Sequence, residues 1–165
     1  MTKWIWFGAA ALALLPANVQ AHPANSHHAS AGGSVLWHGI RVGMTQQQAI
    51  AAYPGLTKDP MKARLTGPVV QVAGDPFNVS VDLSTGRVST VSLLAERSIP
   101  QDVAESLKAK YGAPDKPYSC TYGVMTRCGA EWRIPKGVKV SLIFNMVDTL
   151  HILEIRYAAP DTQGL

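Results

Sequence analysis

The chain has 165 residues, 47% of them hydrophobic and 16% charged, with a formal net charge of +4. That length and apolar content allow one substantial core and set aside a disordered or low-complexity protein. The basic residues are interspersed, and the nearest approach to a patch, Arg133, Lys136 and Lys139, reads as the solvated end of a hairpin. A nucleic-acid partner, which needs clustered Lys and Arg on one face, is therefore not expected.

Residues 1–21 read as an export signal. Lys3 supplies a positive start, Trp4 to Leu15 is an apolar run too short to span a bilayer comfortably, and Pro16 breaks it. Val19-Gln20-Ala21 loosely fits the small-x-small cleavage rule, with cutting after Ala21. An uncleaved anchor helix is the alternative, and the shortness of the run weighs against it. No cysteine stands at the cut, so no lipid attachment is expected. The mature protein would be periplasmic or secreted, with no transmembrane segment after cleavage.

Residues 22–34 are small, polar and glycine-bearing, the composition of a flexible leader. One domain is then expected over 35–158, followed by a frayed tail at 159–165. Val35-Leu36-Trp37 and Ile40-Arg41-Val42 suit a first edge strand around Gly39. Thr45 to Gln48 matches a capping box, Ala49, Ile50 and Tyr53 give the helix one apolar face, and Pro54-Gly55 stops it. Val69 to Val72 reads as a strand after Pro68.

Phe77 to Leu94 is the clearest stretch. Val79, Val81 and Leu83 alternate with Asn78, Ser80 and Asp82. Ser84-Thr85-Gly86 follows, and then Val91, Leu93 and Ala95 alternate with Thr90, Ser92 and Leu94. Period-two alternation about a glycine-bearing loop predicts a hairpin with one buried face. Ser98 to Tyr111 predicts the longest helix, with Val103, Leu107 and Tyr111 at four-residue spacing and Gly112 just past its end. Strands are expected over Tyr118–Val124, Cys128–Ile134, Val138–Phe144 and Thr149–Tyr157.

Cys120 and Cys128 are the two cysteines. In an exported chain a disulfide is the default, here stapling neighbouring strands across a hairpin. A redox or metal pair is the alternative, but the spacing is not C-x-x-C. Each half runs helix then strands, which either a tandem duplication or strand alternation alone accounts for. The fold class expected is α+β, an antiparallel sheet with helices packed on one face.

Catalytic motifs are missing: no G-x-S-x-G, no phosphate-binding loop and no H-E-x-x-H. The chain is thus read as non-enzymatic, with no catalytic residue and no cofactor. Asp148 and His151 could meet around a turn, but His151 alternates with Leu153 and Ile155 and reads as a structural imidazole on the inner face. In the leader, His22 with its free α-amine, His27 and His28 form a nitrogen set suited to Cu(II) or Ni(II), against the blander reading of a polar tail. The candidate partner-binding residues lie on the polar side of the sheet: Ser80, Asp82, Thr90, Ser92, Lys139 and Ser141. Trp37, Tyr118, Tyr122 and Trp132 could anchor a partner there or pack into the core and edges.

Gly43-Met44-Thr45-Gln46-Gln47-Gln48-Ala49, the helix that follows and the later strands resemble the small bacterial envelope proteins of the outer-membrane assembly factor E (SmpA/OmlA) type. The helix-then-sheet plan is also similar to the β-lactamase inhibitory protein fold. The assembly factor is typically a lipoprotein, and this chain lacks the cysteine for that. What the resemblance implies is a protein partner in the cell envelope, met as an assembly factor or as a protein inhibitor.

Overall fold

The computed structural model describes residues 33–96, 99–135 and 137–159. The stretch read as an export signal, residues 1–21, the leader histidines His22, His27 and His28, Ser98, Lys136 and residues 160–165 lie outside the described residues.

A small hairpin comes first, β1 (Val35–Trp37) with β2 (Ile40–Arg41), followed by α1 (Gln46–Ala52). Four strands follow: β3 (Thr57–Lys58), β4 (Arg64–Val72), β5 (Asp75–Ser84) and β6 (Arg87–Glu96). Then α2 (Pro100–Tyr111) leads to four more, β7 (Lys116–Thr121), β8 (Thr126–Ile134), β9 (Val138–Val147) and β10 (Leu150–Ala158). The last eight strands form one antiparallel sheet in the order β3-β4-β5-β6-β10-β9-β8-β7. It is two four-stranded meanders, each entered from a helix, joined where β6 meets β10.

Local chemistry explains the elements. Thr45 caps α1 as a full capping box: its hydroxyl accepts from the Gln48 N–H, and the Gln48 side chain accepts from the Thr45 N–H at 2.9 Å. Hairpin turns at His38-Gly39, Ala73-Gly74 and Thr85-Gly86 place both central residues at positive φ, the twist-matched form that glycine permits at its second position. Pro68 sits inside β4 because the ladder to β5 is bulged between Thr66 and Val69. Beside it, a Cβ on Gly67 would lie 3.0 Å from the Val79 Cβ and 3.1 Å from Leu56 Cδ2, so glycine lets the strand pass close over the core where any larger residue would push its neighbours aside.

The core lies on one face of the sheet. Phe77, Val79 and Val81 of β5 face it with Val88, Val91 and Leu93 of β6, Leu153, Ile155 and Tyr157 of β10, and Val138, Val140 and Leu142 of β9. Trp132 and Ala130 extend it into β8.

The expected fold class is corrected by this architecture. The chain is mostly β, and its two helices, 7 and 12 residues long, do not form the layer that a helix-packed α+β domain requires. The buried residues of α1 and α2 are Ala49, Val103 and Leu107 alone, and the strands supply most of the core. The physical reason is stripe width. Val103, Leu107 and Tyr111 recur once per turn, a line one side chain wide, where covering a sheet takes a broader apolar face. The rest of the inner face is closed by Leu36, Trp37 and Ile40 of the β1–β2 ribbon and by Leu56. Val35 to Val42 therefore form a separate ribbon rather than an edge strand of the main sheet. The α2 helix starts at Pro100 with Ile99 as its N-cap and no side-chain capping bond.

Both helices are tied to strands at one end. The Gly43 N–H donates to Val88 O and the Val88 N–H to Met44 O, each at 2.8 Å, just ahead of α1. Just after α2, Trp132 Nε1 donates to Gly112 O at 3.0 Å. Cys120 and Cys128 stand directly opposite one another on β7 and β8 and are joined in a disulfide. None of the helices among the described residues is long and apolar enough to cross a membrane.

Tyr157 links β10 to the end of α2 through a hydroxyl–hydroxyl hydrogen bond with Tyr111 at 3.5 Å. Burial, then the Tyr111 contact, pushes the Tyr157 phenol well above its ordinary value of 10.0. Above about pH 10 the unfolded phenol loses its proton while the folded one keeps it, so folding stability falls as pH rises. This one group should contribute a slope of about 1.4 kcal/mol per pH unit there. Denaturant titrations above pH 10 should show a shallower decline for Tyr157→Phe than for the wild type; equal slopes would contradict the assignment.

Candidate functional site

The face of the sheet turned away from the helices carries the polar half of each alternating strand. Register sets out its rungs. Asp82 pairs with Thr90, Thr90 with Ala158 and Ala158 with Lys139. On the next rung Ser80 pairs with Ser92, Ser92 with Arg156 and Arg156 with Ser141. The six polar residues singled out from the sequence thus occupy two neighbouring rungs that run across both meanders.

Their environment differs from the wet face that alternation suggests. Ser80, Ser92 and Ser141 are only 4%, 4% and 6% exposed. Each is short, and Arg156 stands opposite both Ser92 and Ser141, so the long side chains rise around a floor of small ones. Ser92 Oγ donates to Glu154 Oε1 at 2.8 Å, and Arg156 grips the same carboxylate through Nε at 2.8 Å and Nη2 at 2.9 Å. A charge-assisted fork of this kind fixes the carboxylate in place. Asp82 is held by Arg64 Nε at 2.9 Å, and Lys116 pairs with Glu131 at 2.9 Å. The Arg64–Asp82 pair is about one-third exposed on each side, so it orients side chains more than it stabilises them. The Ser80 hydroxyl is buried with no hydrogen-bond partner among the described residues.

The second meander shapes this face into two adjoining hollows. The larger, about 540 Å³, has Gly129 and Ser141 at its base and Lys116, Ser119, Arg127 and Arg156 around it. Gly129 brings β8 close to β9, since a Cβ there would lie 2.8 Å from the Leu142 carbonyl oxygen. The smaller hollow, about 400 Å³, is lined by Met125, Ile143, Val147, Leu150 and Ile152 with Arg127. Arg127, Ile143 and Arg156 border both.

Other residues of interest fall elsewhere. His151 sets its ring edge-on to Phe144, with centroids 5.8 Å apart, and makes no ion pair with Asp148 among the described residues. Asp148 occupies the β9–β10 turn at φ 51°. Trp37 and Trp132 are core residues, Tyr118 is half-buried and Tyr122 is 77% exposed. Burial pushes the Tyr118 phenol up, and nearby Tyr122 adds to that. No group of three His, Cys, Asp or Glu side chains among the described residues is placed to hold a metal ion. Chemically the face offers shape, hydrogen-bonding groups and fixed charge, the means of recognition.

Sequence reasoning missed Arg127, Glu154, Arg156 and Gly129 as parts of this face. The signal was partly there, because Leu153 and Ile155 pointing inward puts Glu154 and Arg156 outward. No protein-family model, curated protein or solved structure matches the chain.

The two buried serines should respond oppositely to substitution. Ser92→Ala removes a bond to a charged, largely covered carboxylate and should cost about 1–3 kcal/mol. Ser80→Ala removes a buried hydroxyl that satisfies nothing and should leave stability within about 0.5 kcal/mol of the wild type or raise it. Urea unfolding of both variants decides this; a large loss for Ser80→Ala would show that its hydroxyl is satisfied after all.

Proposed function

We propose that the protein is an exported, non-enzymatic binding protein that meets a protein partner of the cell envelope through the helix-free face of its sheet. One observation carries the reading: two adjoining hollows on that face, floored by small residues and bordered in part by Glu154 and Arg156, which the fold already holds in place. A prearranged surface loses little entropy on binding, which favours recognition by complementarity. The cross-strand disulfide restrains β7 and β8, which border the larger hollow. The reading of residues 1–21 as an export signal and the presence of a disulfide support a periplasmic or secreted location. The classes of role that fit are an envelope assembly factor and a protein inhibitor.

Filling the larger hollow tests this. Ser119 is exposed on the edge strand and borders it, so Ser119→Trp blocks the hollow without entering the core. Lys108→Glu, on the exposed side of α2, serves as the control. In cross-linked capture from an envelope fraction, a partner held by wild type and Lys108→Glu should fall by about tenfold or more with Ser119→Trp. A partner retained by Ser119→Trp, or lost only with Lys108→Glu, would place recognition elsewhere.

A further inference from the structure

Large apolar side chains on the surface are unevenly placed. Among the described residues the exposed ones are Met61, Val69 and Ile99, which are scattered, and Tyr122, Val124, Met125, Val147 and Leu150, which share two hairpin ends. Those ends are neighbours. Thr126 of β8 pairs with Met146 of β9, and Val147 pairs with Leu150, so the β7–β8 and β9–β10 connections emerge at the same end of the sheet. Met125, Val147 and Leu150 come together in the smaller hollow. An exposed apolar concentration of this kind marks a surface that something covers.

Charge says what covers it. Around the two hollows Lys116 is paired with Glu131, and Arg156 with Glu154. Arg127 lies where the hollows meet, exposed, with neutral Thr121 and Asn145 as its cross-strand neighbours. Its guanidinium makes no hydrogen bond or ion pair among the described residues, and only its backbone is engaged, in the strand ladder. An arriving cation would find Glu131 and Glu154 engaged, whereas an arriving carboxylate would find the bidentate fork of Arg127 open. Shape adds length. The larger hollow follows β9 from Lys139 to Ile143 and the smaller continues from Ile143 to Val147. At about 3.3 Å per residue, that trough is roughly 25 Å long, the reach of an extended segment of about eight residues.

We infer that this trough takes an extended segment of another protein in which a carboxylate stands next to apolar side chains, the carboxylate on Arg127 and the apolar groups on Met125, Val147 and Leu150. The inference rests on the binding role proposed for this face and names the chemistry of its partner. A bilayer would satisfy the apolar end but leave the trough unused, and a second copy of this chain would need a complementary acidic ridge.

The test pans a random peptide library displayed on phage against the full chain, then measures enriched peptides on Arg127→Glu, Leu150→Asp and Ser119→Trp. Enriched peptides should carry Asp or Glu within two or three positions of Leu, Ile, Phe or Trp. They should bind both Arg127→Glu and Leu150→Asp about tenfold or more weakly. Peptides blocked by Ser119→Trp but indifferent to Arg127→Glu would overturn this inference and leave the role of the face standing. Peptides indifferent to all three would overturn both. No enrichment, co-sedimentation with phosphatidylglycerol vesicles that Leu150→Asp abolishes, or a dimer that Leu150→Asp dissociates would each overturn the inference, the last two in favour of a membrane or a second copy. Circular dichroism of each variant confirms that the sheet is intact.

Discussion

The pairing of β6 with β10 is the constraint on which the molecule depends. Seven consecutive rungs, from Thr90 opposite Ala158 to Glu96 opposite Ile152, join the two meanders. Each meander alone would end in an unsatisfied edge at a long strand with a buried apolar face, the kind of edge that aggregates. Joined, those edges become the centre of an eight-stranded sheet. Val91, Leu93, Leu153 and Ile155, all within 1% of complete burial, meet there. The seam is also non-local, linking residues about sixty positions apart, so its loop-closure entropy must be offset by that burial.

The same seam builds the outer face. It sets Ser92 against Arg156 and so allows the Ser92–Glu154–Arg156 network, whose members come from both meanders. With those side chains tied down, the serines beneath them are covered, and the border that the two hollows share at Arg156 is fixed. The helices act on the opposite face, where each is anchored to a strand and each plugs a limited part of the core. Burial on one side and recognition on the other thus follow from a single alternation read in both directions.

Much of the local structure is legible in the residues. The alternation from Val79 to Ala95 places the hairpin and its buried face. Thr45 and Gln48 announce the capping box, and the spacing of Cys120 and Cys128 puts them across a hairpin where they do bond. The fold class was not legible, because Val103, Leu107 and Tyr111 read as a good helix without revealing how little of the sheet one such line covers. Pro68 hid the length of β4, since β4 accommodates that proline through a bulge formed with its partner strand. The candidate face was half legible. Alternation tells which way Ser80, Ser92 and Ser141 point, but whether they are wet depends on what stands opposite, and Arg156 arrives there from a distant strand. The apolar end was hidden for the same reason: Met125 and Leu150 look like isolated turn residues until register brings their hairpins side by side.

Native-state amide hydrogen exchange reads the seam directly. If it holds the fold together, the ladder amides of Val91 to Ala95 and Leu153 to Tyr157 exchange slowest of all. They do so with one shared opening free energy equal to that of global unfolding. Seam amides that exchange faster than those inside either meander, or two meanders that open with separate free energies, would show that the halves are stable apart and that the β6–β10 pairing merely docks them.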